Sequence, residues 1–457
     1  MRIGLLPLAR PTFDIPFAEE KLAGMLAALD AAGHETVGPR TLLLDAEASA
    51  AALDGLRGEP VDALMVLQVT FTDAAFLMAA AKALPSTPLV IWAPREARVG
   101  GRLRLNAFCG LNLASHALGL VGHRFGYLYA DPGTNSAADL DALLAGQREA
   151  TPLPCPAVPP GTSRPLDGLR IARIGAHPEG FDTCRYDEAD IATRFGARVD
   201  ALDLDTLFKA ATRQREAPVA ALREEAGAAF DGLDTLDPEQ LDKSLRLKLA
   251  LDTIRDRGSY DAFALRCWPE SFTEYGGAMC GPAAMLGEAR VPCACEADVW
   301  GALTQLALQR AADAPVFLVD LVDIDPADDT GIVWHCGQAP ASMAAGRPGS
   351  TVHTNRRMPL LLEFALKPGR VTLFRLSQSH GQPKAIIASG EMLERPMAFT
   401  GTSGAIRFDA PAGTVLERVM ASGIEHHMAV VYGDHADALR DMAARMGLPV
   451  MDLCAGS

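Results

Sequence analysis

RCWPESFTEYGGAMCGPAAMLGEARVPCACEADVWGA, residues 266–302, carries the reading of the fold. An apolar, strand-like run from Ala262 to Cys267 leads into it and stops at Trp268-Pro269-Glu270. Proline cannot donate to a ladder, so a central strand does not continue through Pro269, and Glu270 is expected at the strand's end. Gly276, Gly277 and Gly281 then loosen a turn, a short helix follows, and a second apolar run, Val291 to Cys295, ends in Glu296-Ala297-Asp298. Two strands thereby deliver carboxylates to their carboxyl ends from positions 28 residues apart. That is where α/β proteins place their chemistry, and two such acids can hold a divalent metal against a polyhydroxy substrate.

Upstream, residues 1–150 alternate apolar strands with Ala/Leu-rich helical segments. Strands are expected at Ile3–Ala9, Ala63–Val69, Leu89–Ala93 and Gly126–Ala130. Helices are expected at Phe17–Ala32 and Asp73–Ala83, the second capped by Thr72-Asp73. Such alternation implies a parallel sheet covered on both faces. No GxGxxG follows the first strand, so a dinucleotide site is not indicated. The segment WAPREARVGGRLRLN, residues 92–106, follows a strand end and sets Arg95, Arg98, Arg102 and Arg104 around Gly100-Gly101, with Asn106 at its close. It reads either as a solvated loop or as an anion clamp or subunit contact, because the planar guanidinium fork suits carboxylate, phosphate or sulfonate.

The stretch TPLPCPAVPPGTSRP, residues 151–165, has linker composition and marks a domain boundary. A second α/β domain, 166–326, opens with Arg170–Ala176 and carries Glu270 and Asp298; its first loop presents Arg185. A helical stretch, Asp237 to Asp256, leads into the Glu270 strand. After Pro326 the texture changes. Gly331–His335, Val371–Ser377, Ala385–Ala388 and Ala405–Phe408 are short, β-branched and separated by Gly, Pro or Asn, which indicates a mostly antiparallel, barrel-like domain over 327–457. Gln378 and His380 follow one of its strands and are candidates for hydroxyl contacts. The chain closes on a strand, Met428–Tyr432, and a helix, Ala436–Met446, with Glu425, His426 and His427 just ahead of the strand.

Bulk properties bound the function. A 457-residue chain exceeds one ordinary core, so two or three domains are expected. With 49% hydrophobic and 22% charged residues it is globular, and a net charge of −15 argues against nucleic acid as a main partner. Pro7 and Arg10 interrupt the first apolar run, so it reads as a strand and not a signal peptide. No run reaches membrane-spanning length. Nine scattered cysteines suit reduced thiols and a cytoplasmic setting. Cys293 and Cys295 lack a second pair at zinc spacing and read as buried strand residues.

Glu270, Asp298 and His427 together offer oxygen and imidazole donors that favour Mn2+ or Mg2+ over zinc. The segment ending in WPE, the GPAAMLGEA helix, EADVWGA and the terminal HHMAVVYGDHADALRDMAARMGLPV resemble the L-fucose isomerase family, with L-arabinose isomerase a more distant relative. GGRLRLNAFCGLNLASHAL adds support in the first half. The resemblance implies a metal-dependent aldose–ketose isomerase working through an ene-diol. In that family a glutamate, an aspartate and a C-terminal histidine bind manganese. They match Glu270, Asp298 and His427, with the two acids as the proton-transfer pair.

The gap between those two acids is a few residues longer than in typical L-fucose enzymes, and the distant relatives use two glutamates. Glu296 therefore competes with Asp298 for the ligand position. Mn2+ is the expected ion, with Mg2+ or Co2+ as the other candidates. Arg102, Arg104, Asn106, Arg185, Trp268, Gln378 and His380 are the expected substrate contacts. The arginines suggest an anionic sugar such as sulfoquinovose, since sulfoquinovose isomerases look like members of the same family. Neutral L-fucose or D-arabinose is the competing substrate choice. A non-catalytic sugar-binding protein is the alternative of another class. The resemblance also implies a homo-oligomer, a hexamer or trimer, in which the arginine loop acts in its own or a neighbouring site.

Overall fold

Strands with every residue apolar need cover on both faces, and the chain builds two parallel sheets of this kind before a third of different character. The computed structural model of the chain describes residues 1–133 and 136–456. In the first sheet, β1 (Arg2–Leu8), β2 (Glu35–Val37), β3 (Ala63–Gln68), β4 (Leu89–Ala93) and β5 (Gly126–Tyr129) lie in the order β2-β1-β3-β4-β5, and all pairings are parallel. Each residue of β3 and β4 is buried. The helix Ala107–Leu120 is buried on all sides from Ala107 to Leu118, wedged between this sheet and the third one. Its polar residues Asn112, Ser115 and His116 share one face, and that face is buried too, bonded to the carbonyls of Ile424, Met420 and Gly423.

The segment 151–165 holds neither helix nor strand. The second sheet follows: β6 (Arg170–Ile174), β7 (Arg198–Leu202), β8 (Ala262–Leu265) and β9 (Cys293–Ala294), in the order β7-β6-β8-β9 and again parallel throughout. The helix Pro238–Gly258 leads into β8. Asp237 starts it by accepting the Gln240 N–H at 2.8 Å, Pro238 stands at its first position, and Ser259 ends it at φ 51°. Replacing Asp237 with Ala is expected to lower stability by about 1 kcal/mol, read as a lower urea midpoint at unchanged slope.

The third sheet is large and mostly antiparallel. It comprises β10 (Phe317–Asp325), β11 (Thr330–His335), β12 (Gly349–Thr351), β13 (Leu361–Ala365), β14 (Gly369–Ser377), β15 (Lys384–Met392), β16 (Thr402–Phe408), β17 (His427–Tyr432) and β18 (Val450–Asp452). The order is β12-β13-β16-β11-β10-β17-β14-β15-β18, and a further β15–β16 pairing at Gly390–Met392 curls the sheet back on itself. Two α/β units followed by a mostly antiparallel sheet is the class that the sequence leads one to expect. The sheet begins at β10, however, ahead of the boundary expected at 326. Pro326 marks only the turn between β10 and β11, which pair as neighbours. Register within this sheet fixes the site: Asp320 of β10 lies opposite Trp334 of β11 on one side and His427 of β17 on the other.

Candidate active site

Segments that follow the strands of the first two sheets meet the middle of the third around one cavity of ≈ 120 Å³. Arg10, Thr12 and Phe13 come from beyond β1, Phe71 from beyond β3, and Asn106 from beyond β4. Trp268 follows β8 and Glu296 follows β9, while Asp320, His335 and His426 come from the third sheet and its flank. Residues beyond the carboxyl ends of parallel strands are where α/β folds bind ligands.

Glu296 and Ala297 both hold left-handed backbone, at φ 59° and 55°. Non-glycine residues adopt this region rarely, and two in succession turn the Glu296 carboxylate out of line with β9. One oxygen accepts from the Trp268 indole N–H at 3.0 Å, and the other from His426 Nε2 at 2.9 Å. Burial alone would raise this carboxyl. The His426 bond, the neighbouring imidazole charges and the indole reverse that and bring it to about 2. Asp320 has no such donors. Burial raises it to about 6, against the opposing pull of His427 and His426.

His427 bridges the two acids of the cavity and a third behind them. Its Nδ1 donates to Asp298 Oδ2 at 3.0 Å, which turns Nε2 toward Asp320 at 3.4 Å and Glu296 at 3.7 Å. Burial would lower His427, but Asp298, Asp320 and Glu296 together raise it. The same negative surroundings favour any cation placed there. Three buried atoms, Asp320 Oδ1, His335 Nε2 and His427 Nε2, have no hydrogen-bond partner and lie within 4.8 Å of one another. Buried polar atoms without partners are costly, and a cluster of them is a candidate metal-binding group.

Cys184, Glu296 and His427 form a second such group. Burial and the charges of Asp298 and Glu296 push the Cys184 thiol far above its ordinary value, so it stays neutral and a poor ligand. His335 Nδ1 accepts the Cys336 N–H at 2.8 Å, which leaves the proton of a neutral ring on Nε2. That leaves Glu296, Asp320 and His427, whose Nε2 offers a lone pair once a cation displaces its proton. Oxygen with one imidazole suits Mn2+ or Mg2+, and the residues fit such an ion.

The structure brings Glu296, Trp268 and Asn106 to this cavity, sets His427 directly behind its acids, and leaves the other expected residues elsewhere. Glu270 is bound by Arg266 through two contacts of 2.7 Å and is not among the cavity's lining residues. Asp298 is fully buried behind His427. It caps the helix Val299–Ala312 by accepting from Gly301 N at 2.8 Å, and its two oxygens are gripped by Arg375. Together these contacts hold its carboxyl far below the usual range in spite of burial. Asp298 thus sits behind His427 and bonds its Nδ1, with both carboxylate oxygens engaged.

Arg102 donates to Thr12 O at the cavity's edge, whereas Arg104 pairs with Asp14 and stacks on Phe17 at 3.5 Å. Arg95 and Arg98 tie the loop to Asp323 and Asp325 of β10 and to Asp328 in the turn after it, so these two of the four arginines fasten the loop to the third sheet. Arg185 is exposed on Asp182, Gln378 donates to Arg185 O, and His380 rests near Ala421 O at 3.3 Å. Sequence reasoning passed over Asp320, His335, Arg10 and Arg356. The signal for Asp320 was the first of three acids interrupting an apolar strand, FLVDLVDID, where only a partner or a function offsets such burial.

Comparison with known proteins agrees with the resemblance read from the sequence. A family described as fucose/sulfoquinovose isomerase, N-terminal domain, matches residues 4–146, and one described as L-fucose isomerase, C-terminal domain, matches residues 362–453. A sulfoquinovose isomerase of Alkalicoccus urumqiensis is 31% identical over 454 residues, covering 98% of both chains. Those of Clostridium sp. (strain MSTE9) and Priestia aryabhattai are 30% and 29% identical, covering 98% and 97% of both chains. Among solved structures, a periplasmic solute-binding protein with bound D-allose matches 58% of this chain and 77% of its own at 12% identity, with a TM-score of 0.18, too slight to bear on the fold. Among the described residues no helix is long and apolar enough to cross a membrane.

Proposed function

The chain belongs to the fucose/sulfoquinovose isomerase family, and from that premise we propose that this aldose–ketose isomerase converts sulfoquinovose to its ketose through an ene-diol, with Glu296, Asp320 and His427 holding a divalent cation, Mn2+ first. The observation that supports this reading is the position of His427 Nε2, 3.4 Å from Asp320 and 3.7 Å from Glu296 just behind the cavity those two acids line, with His427 Nε2 and Asp320 Oδ1 both buried and without a hydrogen-bond partner. When bound, the cation supplies Lewis acidity to the sugar's carbonyl and adjacent hydroxyl.

The rest is the work of the chain. Isomerisation moves one proton from C2 to C1 and one between the two oxygens, so it needs a group that can take a proton and return it on the same side of the sugar. Glu296 is pinned by Trp268 and His426, whereas Asp320 Oδ1 has no hydrogen-bond partner and is free to accept. Asp320 is accordingly the carrier between the carbons. His335, with its proton on Nε2, gives that proton to O1 and takes the one leaving O2, so its own protonation is restored. Asp298 keeps His427 in the tautomer that presents Nε2, and Trp268, Phe71 and Phe13 wall the cavity with apolar surface that restricts water.

Incubation with sulfoquinovose in D2O tests this directly. Proton NMR is expected to show loss of the C2 hydrogen signal together with ketose formation. Both should stop after dialysis against a strong chelator and return with Mn2+. Ketose formed without any exchange of the C2 hydrogen would point to hydride transfer and count against the ene-diol. Turnover unaffected by the chelator would remove the metal.

A further inference from the structure

An aldohexose enters such a site with its C1–C2 end at the acids, so its C6 end must be held by another part of the same cavity. That cavity carries two guanidinium groups, Arg10 and Arg356. Arg10 gives one nitrogen to Asp73 at 2.5 Å and lies over the rings of Phe71 and Trp268 at 5.2 and 5.6 Å, which fixes its plane at the wall. Arg356 comes from the loop between β12 and β13, is half-buried, and has no carboxylate partner among the described residues. Burial and the charge of Arg10 both push its guanidinium down, so the two cations stand close enough to repel. Arg102, which bonds the cavity residue Thr12, feels Arg357 in the same way. Like charges held together at a partly dry wall are unfavourable until an anion completes them.

We propose that Arg10 and Arg356 form the subsite that binds the C6 sulfonate of the substrate, with Asn355 and Thr354 beside them in the same loop as further polar contacts. The inference rests on the proposed activity and names the residues that select its substrate. A sulfonate offers three acceptor oxygens to planar forks, and Arg10 retains nitrogens that no acid occupies. The arginine segment 95–104 is not the clamp, because its carboxylate partners already engage three of its four guanidinium groups.

Steady-state kinetics of the wild type and of Arg356→Met, with sulfoquinovose and with D-glucose as its sulfonate-free counterpart, separate the possibilities. The variant is expected to lose about 10- to 100-fold in kcat/KM for sulfoquinovose, mostly in KM, and the preference for sulfoquinovose over D-glucose should shrink by at least tenfold. Arg356→Lys should recover part of that preference. Methanesulfonate should inhibit the wild type competitively and the Met variant much less, a measurement that also works on the wild-type protein alone. A wild type with no preference for the sulfonated sugar would overturn both the substrate and the subsite. A wild type that prefers it, with a Met variant that keeps the full preference, would overturn the subsite alone.

Discussion

Asp320→Asn is expected to lower kcat by about 10²–10⁴-fold with the fold intact, while Glu270→Gln leaves kcat/KM within about a factor of three. The amide of the first variant is nearly isosteric with the acid but can neither accept a proton nor offer a charge to a cation. Asp320 stands between Trp334 and His427 in the register of the third sheet, so its side chain has nowhere else to go. The backbone positions of β10 are held by ladders on both sides, which protects the fold from the change. Glu270, in contrast, is part-exposed and closes a local pair with Arg266 four residues away, an arrangement worth at most ~1 kcal/mol. Initial rates of ketose formation for the two variants decide between the alternatives. Equal losses would return the chemistry to the end of β8, and a strong effect from Glu270 alone would refute the placement at β10.

Much of the fold is legible because parallel strands buried on both faces leave an unmistakable trace. Leu89–Ala93 and Ala436–Met446 stand where the pattern puts them, and other ends shift by up to four residues, the most at β15, which runs on to Met392. The helix Ala107–Leu120 escapes because it carries no charged residue to mark a solvent side, its polar face of Asn112, Ser115 and His116 being buried as well. β10 escapes for a related reason. Asp320, Asp323 and Asp325 break its apolar run, and each acid is explained only by a partner far away in sequence: His427 for the first, Tyr129 and Arg98 for the second, Arg95 for the third. No local window contains those partners.

The site shows the same limit. Strand-end logic leads to the segments after β8 and β9, which do reach the cavity through Trp268 and Glu296, but it cannot say which acid of a segment faces inward. Two local signals did bear on it. Arg266 precedes Glu270 by four residues, the spacing of an ion pair on a helical turn, and Asp298 stands three residues before Gly301 at a helix start, the position of an N-cap. Both mark acids already committed. Glu296 has neither commitment, and its distance to Asp320 is 24 residues, shorter than the 28 from Glu270 to Asp298. Spacing alone cannot choose between these pairs; the positive φ at Glu296 and the register of β10 do.

Asp298→Asn tests the network behind the site, and its effect should fall on stability and function together. Arg375 and Asp298 are both fully buried, joined at 2.7 and 3.2 Å, and the remaining acid near Arg375 is Glu425 at 3.6 Å. An amide at 298 leaves a buried guanidinium facing one longer contact, and breaking such a pair from one side costs about 3–5 kcal/mol. Packing offers no relief, since a Cβ on Gly301 would already lie 2.5 Å from Asp298 Oδ2. The functional part has a separate cause. Asn can donate as well as accept, so His427 is no longer held with its proton on Nδ1, and Nε2 is no longer reserved as a lone pair. Loss of such an orienting partner lowers metal affinity or activity by roughly 10–100-fold. Urea unfolding reads the first effect and Mn2+ titration of the folded variant the second. Arg375→Met separates them, because it strands the Asp298 charge yet leaves the His427 Nδ1 acceptor in place. It should therefore lose stability to a similar degree while keeping more of the Mn2+ affinity than Asp298→Asn. If Asp298→Asn unfolds at the wild-type midpoint and binds Mn2+ as tightly, the carboxylate neither compensates Arg375 nor sets the histidine, and the cavity's acids must act without support from behind.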